Sequence, residues 1–391
     1  MRLSLILPPV QPEVYPELAT CPYVGCGGHH FQQWQMVPKP LRDTVLTEVA
    51  ARRYRCVRCG RTFRVYPVGV SHDQTSARLK GVAVMLYVLG MSYGAVAIAL
   101  RALGWPLSKV AVYYAVQAAG ARVVGLRREA MARGGGRIAA LGADLTSVRC
   151  AGQWLTVGVG VDAAGGLALS IDLLPNGETA TLTAWIQELA AAIGAELLVS
   201  DDADGFKTAS DESGLTHQVC KTHVGRNTEA WVEAITPALS SDADGSLAGI
   251  GVSPEQAVAD CAEILRLVHE RQPGPEASAT LATIHRRYLC ATKPAKGGSM
   301  SLAYRLRLFS LDRWNLWGRL TRYRTWAGSD GETLDGTNNA CERAIGWWVK
   351  ERYRSMRGYK RPQSVLNVSR LIAAMGNALA GPGFALAEVI T

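Results

Sequence analysis

The chain has 391 residues, 48% of them hydrophobic, and its 42 Lys and Arg against 33 Asp and Glu give a formal net charge of +9. This length and apolar content exclude a disordered chain and a small disulfide scaffold, and they predict several domains. The nine cysteines, which form two close pairs with the rest scattered, favour metal ligands and buried thiols in a reducing, cytoplasmic setting. The positive charge favours a polyanionic partner such as nucleic acid.

Two cysteine knuckles lie near the start of the chain. Residues 1–20 are rich in proline and predict an N-terminal arm, whereas residues 21–70 show short β segments around the spacings Cys-x4-Cys and Cys-x2-Cys. Two such thiolate pairs supply the tetrahedral sulfur ligands that Zn²⁺ prefers, so we predict a structural zinc ribbon. His29 or His30 is an alternative to the second cysteine. The predicted zinc ligands are Cys21, Cys26, Cys56 and Cys59.

Arginine and aromatic residues interleave around the second knuckle. Guanidinium groups bind phosphates and aromatic rings support them, so the pattern predicts contact with a DNA backbone. The alternative is a zinc site that only folds a small module. The predicted DNA contacts in this part are Arg53, Arg55, Arg58 and Arg61.

Residues 76–133 are compatible with helix throughout, and the segment 81–100 carries no charge. One interpretation of that segment is a membrane span. We prefer a helix-turn-helix DNA-binding domain without a membrane, and the remaining alternative is a helical hairpin packed on the rest of the protein. The predicted helices are 76–89, 92–103 and 107–120. The residues of the third helix that are predicted to face the major groove are Ser108, Lys109 and Tyr113.

From residue 137 the hydrophobic pattern changes to the alternation typical of strands. Three β-rich runs are followed by a helix and a fourth apolar strand, which predicts a mixed α/β sheet with one crossover connection. Beyond residue 205 the pattern is mostly helical. The predicted elements are strands at 137–148, 153–162, 166–174 and 196–200 and a helix at 178–193.

Three carboxylates lie where such a sheet can bring them together. Asp144 is predicted at the end of the first strand, Asp201 directly follows the fourth strand, and Glu342 is near the start of a later helix. Carboxylates in this arrangement can hold two divalent cations, preferably Mg²⁺, and support phosphoryl transfer. Ordinary interpretations are a turn, a solvated acidic loop, and a capping box between Asn339 and Glu342.

The spacing of these acids indicates an insertion. Asp144 and Asp201 are 57 positions apart, but 141 positions separate Asp201 from Glu342. A single crossover needs on the order of 30 residues, so we predict that an all-helical insertion interrupts the sheet domain. The predicted parts are 137–227 for the first part of the core, 228–330 for the insertion, and 331–391 for the second part with C-terminal helices.

Two further segments are strongly basic. The segment 304–326 has six Arg against one acid and includes three Trp, which suits a groove for DNA ends, although a Trp stripe is also core material. In 342–361 we predict basic residues along phosphates, with Trp347 and Trp348 packed inward; a solvated face is the alternative. The predicted DNA contacts in this half of the chain are Arg226, Arg343, Lys350, Arg354, Arg357 and Lys360.

Five phrases stand in a fixed order along the chain. They are KPLRDTVLTEVAARRYRCVRCGRTFRVYP, GADLTSV, SDDADGFKTA, QVCKTHVGRN and TNNACER. Together they resemble the DDE transposases of bacterial insertion sequences, in particular the branch with an N-terminal zinc ribbon and helix-turn-helix before an RNase H-like catalytic domain. The resemblance covers most of the chain. The chain departs from the pattern in its longer first knuckle and in the doubled acid Asp201-Asp202.

The resemblance implies a catalytic site. Two Mg²⁺ ions would be held by Asp144, Asp201 and Glu342; the spacing to the aromatic residue of SDDADGFKTA favours Asp201, and Asp202 is the alternative. QVCKTHVGRN looks like the family's Cys-x2-His signature, whose Cys220 and His223 are either a structural pair or half of a metal site. The residues predicted to support the active site are His223, Asn338 and Asn339.

The resemblance also implies partners and a location. A DNA transposase binds the terminal inverted repeats of its element and its target as double-stranded DNA, cleaves strands and transfers them. Self-association as a dimer or larger synaptic complex would hold two ends. The expected location is the nucleoid in the cytoplasm. The alternatives are a non-catalytic zinc-ribbon and helix-turn-helix regulator and an RNase H-like, structure-specific nuclease.

Overall fold

Helices and strands share the chain, which confirms the mixed α/β class predicted from the sequence. The computed structural model describes residues 5–123, 125–133, 135–271, 275–328, 331, 333–356, 358–378 and 384–390. The described strands form sheets of two, three and five strands. None of the described helices combines the length and the apolar character needed to cross a membrane.

The N-terminal part of the chain forms a small antiparallel sheet. Its strands, with one short strand ahead of it, are β1 (Leu5–Ile6), β2 (Phe31–Pro40), β3 (Glu48–Cys56) and β4 (Thr62–Val65). The order in the sheet is β2-β3-β4. Phe63 stacks with Tyr54 and meets Phe31 edge-on, with ring centroids 6.1 and 5.5 Å apart. Such cross-strand aromatic pairs stabilise a sheet that has little other core.

The proline-rich segment before this sheet is packed along it. Gln11 forms a β-bridge with Val68, and the Tyr15 hydroxyl donates a hydrogen bond to the carbonyl of Ala50 at 2.9 Å. The Arg52 guanidinium lies 3.8 Å from the centre of the Tyr15 ring. The prediction of a separate arm at 1–20 is therefore wrong for its described residues.

Four helices follow: α1 (Ala77–Val88), α2 (Tyr93–Ala102), α3 (Lys109–Ala121) and α4 (Leu126–Arg133). The first three begin in the same way, because Ser76, Ser92 and Ser108 each accept a hydrogen bond from the amide three residues on. The uncharged segment 81–100 is thus broken by a turn between two helices, as the helix-turn-helix interpretation predicts.

These helices share one hydrophobic core with the sheet that follows them. Tyr113 of α3 is half-buried; its ring packs edge-on against Tyr93 and its hydroxyl lies 3.3 Å from that of Ser364. The prediction that Tyr113 faces outward is therefore wrong, whereas Ser108 and Lys109 are exposed. The packing is what the alternative of a helical unit docked on the rest of the protein describes.

A five-stranded mixed sheet forms the centre of the molecule. Its elements are β5 (Ala140–Cys150), β6 (Gln153–Asp162), β7 (Ala168–Leu174), α5 (Thr179–Ile193), β8 (Leu197–Ser200), α6 (Asp204–Glu212) and β9 (Thr216–Val219). The strand order is β7-β6-β5-β8-β9, with β5, β6 and β7 antiparallel and β5, β8 and β9 parallel.

The sequence predicts four of these strands and misses the fifth. The strand β9 has only four residues, and its buried His217 and Gln218 break the apolar run by which strands are found. The helix α6 before it makes a second crossover, so the prediction of a single crossover is wrong.

Four long helices form a separate unit between β9 and the C-terminal part. They are α7 (Lys221–Ser240), α8 (Pro254–Glu270), α9 (Pro275–Arg287) and α10 (Leu302–Leu320). They enclose their own hydrophobic core, in which Trp231 stacks on Phe309 with ring centroids 3.7 Å apart. The helical insertion is thus observed, but its first helix begins at Lys221, ahead of the predicted boundary at 228.

Arginines of α10 fasten this unit to the central sheet domain. Arg319 donates two hydrogen bonds of 2.8 Å to the carboxylate of Asp211 and one of 2.9 Å to His217. Burial and the Arg319 charge lower the pKa of His217 to about 3, so this imidazole is a neutral acceptor. Arg313 is buried and lies 3.7 Å from the carboxylate of Asp202. The prediction that 304–326 faces DNA is therefore wrong for these arginines.

The chain ends in a helical segment that runs back over the sheet. Its elements are α11 (Asn339–Ala344), a π-helical turn (Ile345–Lys350), α12 (Glu351–Met356), α13 (Pro362–Ala378), β10 (Phe384–Ala385) and α14 (Ala387–Ile390). The strand β10 pairs in parallel with β1. Helix α13 packs against α3 so closely that a Cβ on Gly120 would lie 2.1 Å from the Asn367 carbonyl oxygen.

Candidate active site and metal centre

Two of the three predicted carboxylates lie side by side on neighbouring parallel strands. The register pairs Gly142 of β5 with Val199 of β8, and two residues further along each strand are Asp144 and Asp201. Equivalent positions of parallel strands place their side chains on the same face, because side chains alternate with a period of two. The two acids therefore stand level where β8 ends.

Asp144 itself is not at the end of a strand, as the sequence predicts. The strand β5 continues to Cys150, paired with β6 alone. The longer strand gives Asp144 a rigid backbone on one side and an open edge on the other.

The electrostatics of Asp144 link all three carboxylates. Burial raises the pKa of Asp144 to about 6, and the negative charges of Asp201 and Glu342 add to this effect. The Leu145 amide, which donates to Asp144 Oδ1 at 2.7 Å, and the charge of Lys350 oppose it. The fold thus concentrates negative charge at one place, an arrangement that a bound cation relieves.

The neighbouring acids Asp201 and Asp202 have different surroundings. The Asp202 side chain is only 13% exposed and pairs with Lys207 at 2.9 Å and with Arg313 at 3.7 Å. The carboxylate of Asp201 accepts one hydrogen bond, from the Ala203 amide at 3.1 Å, and pairs with no cation among the described residues. Of the two, Asp201 is therefore the carboxylate free to bind a metal.

Glu342 lies in the first turn of α11, at the edge of an open depression of about 430 Å³. The capping box with Asn339 is not formed, because the residue that caps this helix is Asn338, and it makes no side-chain capping bond. The helix changes to a π-helical turn at Ile345, a distortion that is frequent at functional sites. The depression is lined by Asp335, Asn339, Glu342 and Arg343.

Asn338 connects the site to the sheet. It is buried, and its side-chain amide donates to the carbonyl of Ala143 at 3.2 Å. Its backbone amide donates to the Cys220 sulfur at 3.3 Å. These bonds fix the start of α11 beside Asp144, which gives Asn338 a positioning role, while Asn339 faces the depression. His223 Nδ1 lies 3.6 Å from Glu342 Oε1.

The four predicted zinc ligands come together in the ribbon. The sulfurs of Cys21 and Cys59 are 3.9 Å apart and those of Cys26 and Cys56 are 3.7 Å apart. A tetrahedral zinc with Zn–S bonds near 2.3 Å needs sulfurs about 3.8 Å apart, so these thiols could hold an ion such as Zn²⁺. His29 is exposed, with its ring nitrogen bonded to the Ala19 carbonyl.

The backbone of the knuckles is shaped around these sulfurs. A Cβ on Gly28 would lie 2.8 Å from the Cys56 sulfur and 3.3 Å from that of Cys26. The Cys59 amide, followed by that of Arg58, lowers the pKa of Cys56 to about 7. Both features favour a compact cluster with thiolate character, the form that binds metal.

The predicted DNA contacts of the ribbon already have partners within the ribbon. Arg53 donates to Thr62, Arg55 to the Gly60 carbonyl, and Arg58 to the Gly27 carbonyl. The Arg61 guanidinium lies 5.1 Å from the centre of the Tyr23 ring. Arg55, Arg58 and Arg61 are nevertheless exposed. These contacts fix the directions of the side chains and leave their charges at the surface.

The predicted contacts in the other half of the chain lie around Glu342 and beyond. Lys350 is half-buried and acts on Asp144, a role that its place in a basic run does not reveal. The prediction that Trp347 packs inward is wrong, since it is 66% exposed, whereas Trp348 is buried. Arg357 lies outside the described residues. The exposed members of this predicted set are Arg226, Arg343, Arg354 and Lys360.

Comparison with known proteins gives no further constraint. No protein-family model matches the chain, and no curated protein matches it significantly. The functional argument therefore rests on the geometry of its own residues.

Proposed function

We propose that the chain is a DNA transposase of the DDE type, which cleaves and joins DNA strands with the help of divalent metal ions. The observation that carries this proposal is the convergence of three carboxylates. Asp144 and Asp201 stand level on adjacent parallel strands, and the charge of Glu342 reaches Asp144 from a helix that begins beside them.

The arrangement of the central domain supports the finer assignment of an RNase H-like fold. Three antiparallel strands followed by two parallel ones, in the order β7-β6-β5-β8-β9, place the first acid on the middle strand and the second beside it. A helical insertion separates the second acid from the third, as the spacing of 141 positions predicts.

Asp144, Asp201 and Glu342 are the residues that would hold Mg²⁺, because three hard carboxylate ligands suit this ion better than a softer one. Bound there, Mg²⁺ would supply an activated water or 3′-hydroxyl and would stabilise the leaving oxygen in phosphoryl transfer. Asn338 fixes the position of the helix that carries Glu342. Lys350 supplies positive charge beside Asp144, which favours its carboxylate form before metal arrives.

DNA would lie across the exposed basic surface around this site. Arg343 borders the depression, and Trp347 and Arg354 extend the surface along the next turns. Phosphate contacts of this kind position a strand without reading its sequence. Recognition of the element's ends falls to the ribbon and the first helices, in a dimer or larger complex acting on the nucleoid in the cytoplasm.

A strand-cleavage assay tests the proposal. The substrates are duplexes that carry the DNA flanking the gene, and the expected result is Mg²⁺-dependent nicking at a defined end. Asp144→Ala, Asp201→Ala and Glu342→Gln should each abolish cleavage while DNA binding remains. Asp204→Asn is the matched control, because this acid of the same loop has a 97% exposed side chain and should leave cleavage intact.

Three results would contradict the proposal. Retained cleavage in one of the three variants removes that residue from the mechanism. Salt-sensitive binding without any Mg²⁺-dependent product identifies a DNA-binding regulator instead. Cleavage that follows DNA structure irrespective of terminal sequence identifies a nuclease.

A further inference from the structure

The start of α7 holds a second group of metal-ligand side chains. Cys220 precedes the helix, His223 lies in its first turn, and both face Glu342 of α11. One ligand atom from each of these three residues lies within 4.8 Å of the other two. The sequence shows only the first two ligands, because the third is 119 positions further along the chain.

Cys220 is poised as a thiolate ligand. It is fully buried at the N-terminus of a 20-residue helix and makes no capping bond to it. Its sulfur accepts a hydrogen bond from the Asn338 amide at 3.3 Å. An amide donor and the positive end of a helix both stabilise negative charge on sulfur.

His223 provides a nitrogen ligand that lacks a hydrogen bond. Its Nδ1 atom is buried, and it has no hydrogen-bond partner among the described atoms. Glu342 Oε1 is 3.6 Å away, which is beyond hydrogen-bonding reach. A metal ion between the two atoms would satisfy both.

The three atoms need only a small adjustment to coordinate one ion. Tetrahedral zinc with its usual bonds to sulfur, nitrogen and oxygen places ligand atoms about 3.4–3.6 Å apart. The present separations of up to 4.8 Å close by a turn of the Glu342 side chain, which is 42% exposed. The fourth position then remains open to water.

We propose that Cys220, His223 and Glu342 form a Zn²⁺ site that switches off the carboxylate centre. The mixed sulfur, nitrogen and oxygen ligands select Zn²⁺ over Mg²⁺. Binding releases the Cys220 thiol proton to solvent and engages Glu342, which is then withdrawn from Asp144 and Asp201. The binding site stands on geometry alone, whereas the inhibitory consequence rests on the proposed function.

The binding site is tested by metal stoichiometry on the full-length chain. We expect two equivalents of Zn²⁺ per chain, one in the ribbon and one here, and one equivalent in Cys220→Ser and in His223→Gln. Co²⁺ as a spectroscopic probe should lose part of its thiolate charge-transfer band in Cys220→Ser. Cys290→Ser is the control, since this exposed cysteine belongs to neither cluster, and it should keep both equivalents.

Two equivalents in both ligand variants would overturn the site. The two substitutions guard each other, because His223 is partly exposed and its replacement leaves the buried sulfur in place. Retention of the ribbon equivalent in each variant shows that the chain remains folded.

Inhibition is tested separately in the cleavage assay at fixed Mg²⁺. Each protein is compared with itself, with and without added Zn²⁺, so that basal rates do not enter. His223→Gln should require at least about tenfold more Zn²⁺ for half inhibition, because even changes outside the ligand shell weaken metal binding about 10–100-fold. Equal inhibition in the wild type and this variant overturns the switch. Absence of cleavage with intact stoichiometry overturns the proposed function and leaves the metal site standing.

Discussion

In the ribbon, four identical ligands converge from two knuckles within 39 residues, from Cys21 to Cys59, and their sulfurs already have the spacing of a filled site. In the central domain, the three acids come from two strands and a helix spread over 199 residues, from Asp144 to Glu342. The first centre needs only local turns and glycines. The second needs the register of a sheet, a helical insertion and a returning helix, so its assembly depends on the whole fold.

The largest effect expected from this contrast is on the ribbon. Structural zinc contributes about 10–16 kcal/mol in small modules that fold around it, so chelation or Cys56→Ser should unfold residues 21–66 and leave the remainder intact. Limited proteolysis and circular dichroism would report this. Loss of the central domain's cooperative unfolding transition on chelation would show that the two regions are not independent.

The contact between α3 and α13 tests the opposite dependence. Gly120→Ala places a Cβ against the Asn367 carbonyl oxygen, and we expect a loss of about 2–3 kcal/mol in unfolding free energy from overpacking. Denaturant titration would measure it, with Gly94→Ala as the control, because Gly94 has open space around it. Zinc binding by the ribbon should not change; an equal loss in both variants would contradict the packing argument.

The carboxylate centre should show a conflict between stability and activity. Because the pKa of Asp144 is raised to about 6, its folded state is penalised at pH 7, where the unfolded carboxyl ionises freely. Asp144→Asn should therefore stabilise the metal-free protein by about 1–2 kcal/mol and abolish cleavage. The gain should vanish as the pH falls below about 5. Thermal unfolding at several pH values would measure it, and a destabilised variant at pH 7 would contradict the electrostatic argument.

A smaller effect is expected from Gly28→Ala in the ribbon. The added methyl group meets the sulfurs of Cys56 and Cys26, and a slight displacement of ligands should cost about 1 kcal/mol of metal binding. Competition with a chromophoric chelator would detect the loss. Unchanged affinity would show that the knuckle adapts more easily than its geometry indicates.

The local centre could be predicted almost completely from the sequence, and the distributed one only in part. Two Cys spacings are enough to predict four sulfur ligands, because the backbone between the members of a pair is short. Asp144, Asp201 and Glu342 can be proposed from strand patterns and resemblance, but the register that makes Asp144 and Asp201 level is a tertiary property. The length of β5 beyond Asp144 depends on its pairing with β6, which no local pattern reveals.

Charged residues show the same limit. In the sequence, Arg313 and Arg319 are indistinguishable from Arg343, yet two of them fasten the insertion to the sheet domain and one lies at the open depression. Tyr113 and Trp347 exchange their expected roles, one turned inward and one outward. Composition fixes how many such groups exist, whereas packing decides which remain free for a partner.

The helical insertion has a consequence for the time at which the enzyme becomes active. Ribosomes add about 5–20 residues per second, so Glu342 follows Asp201 by roughly 10–30 s during synthesis. During that interval a nascent chain has a ribbon and two of its three acids but no complete centre. We therefore expect incomplete translation products to bind DNA without cutting it, which protects the host chromosome from truncated copies.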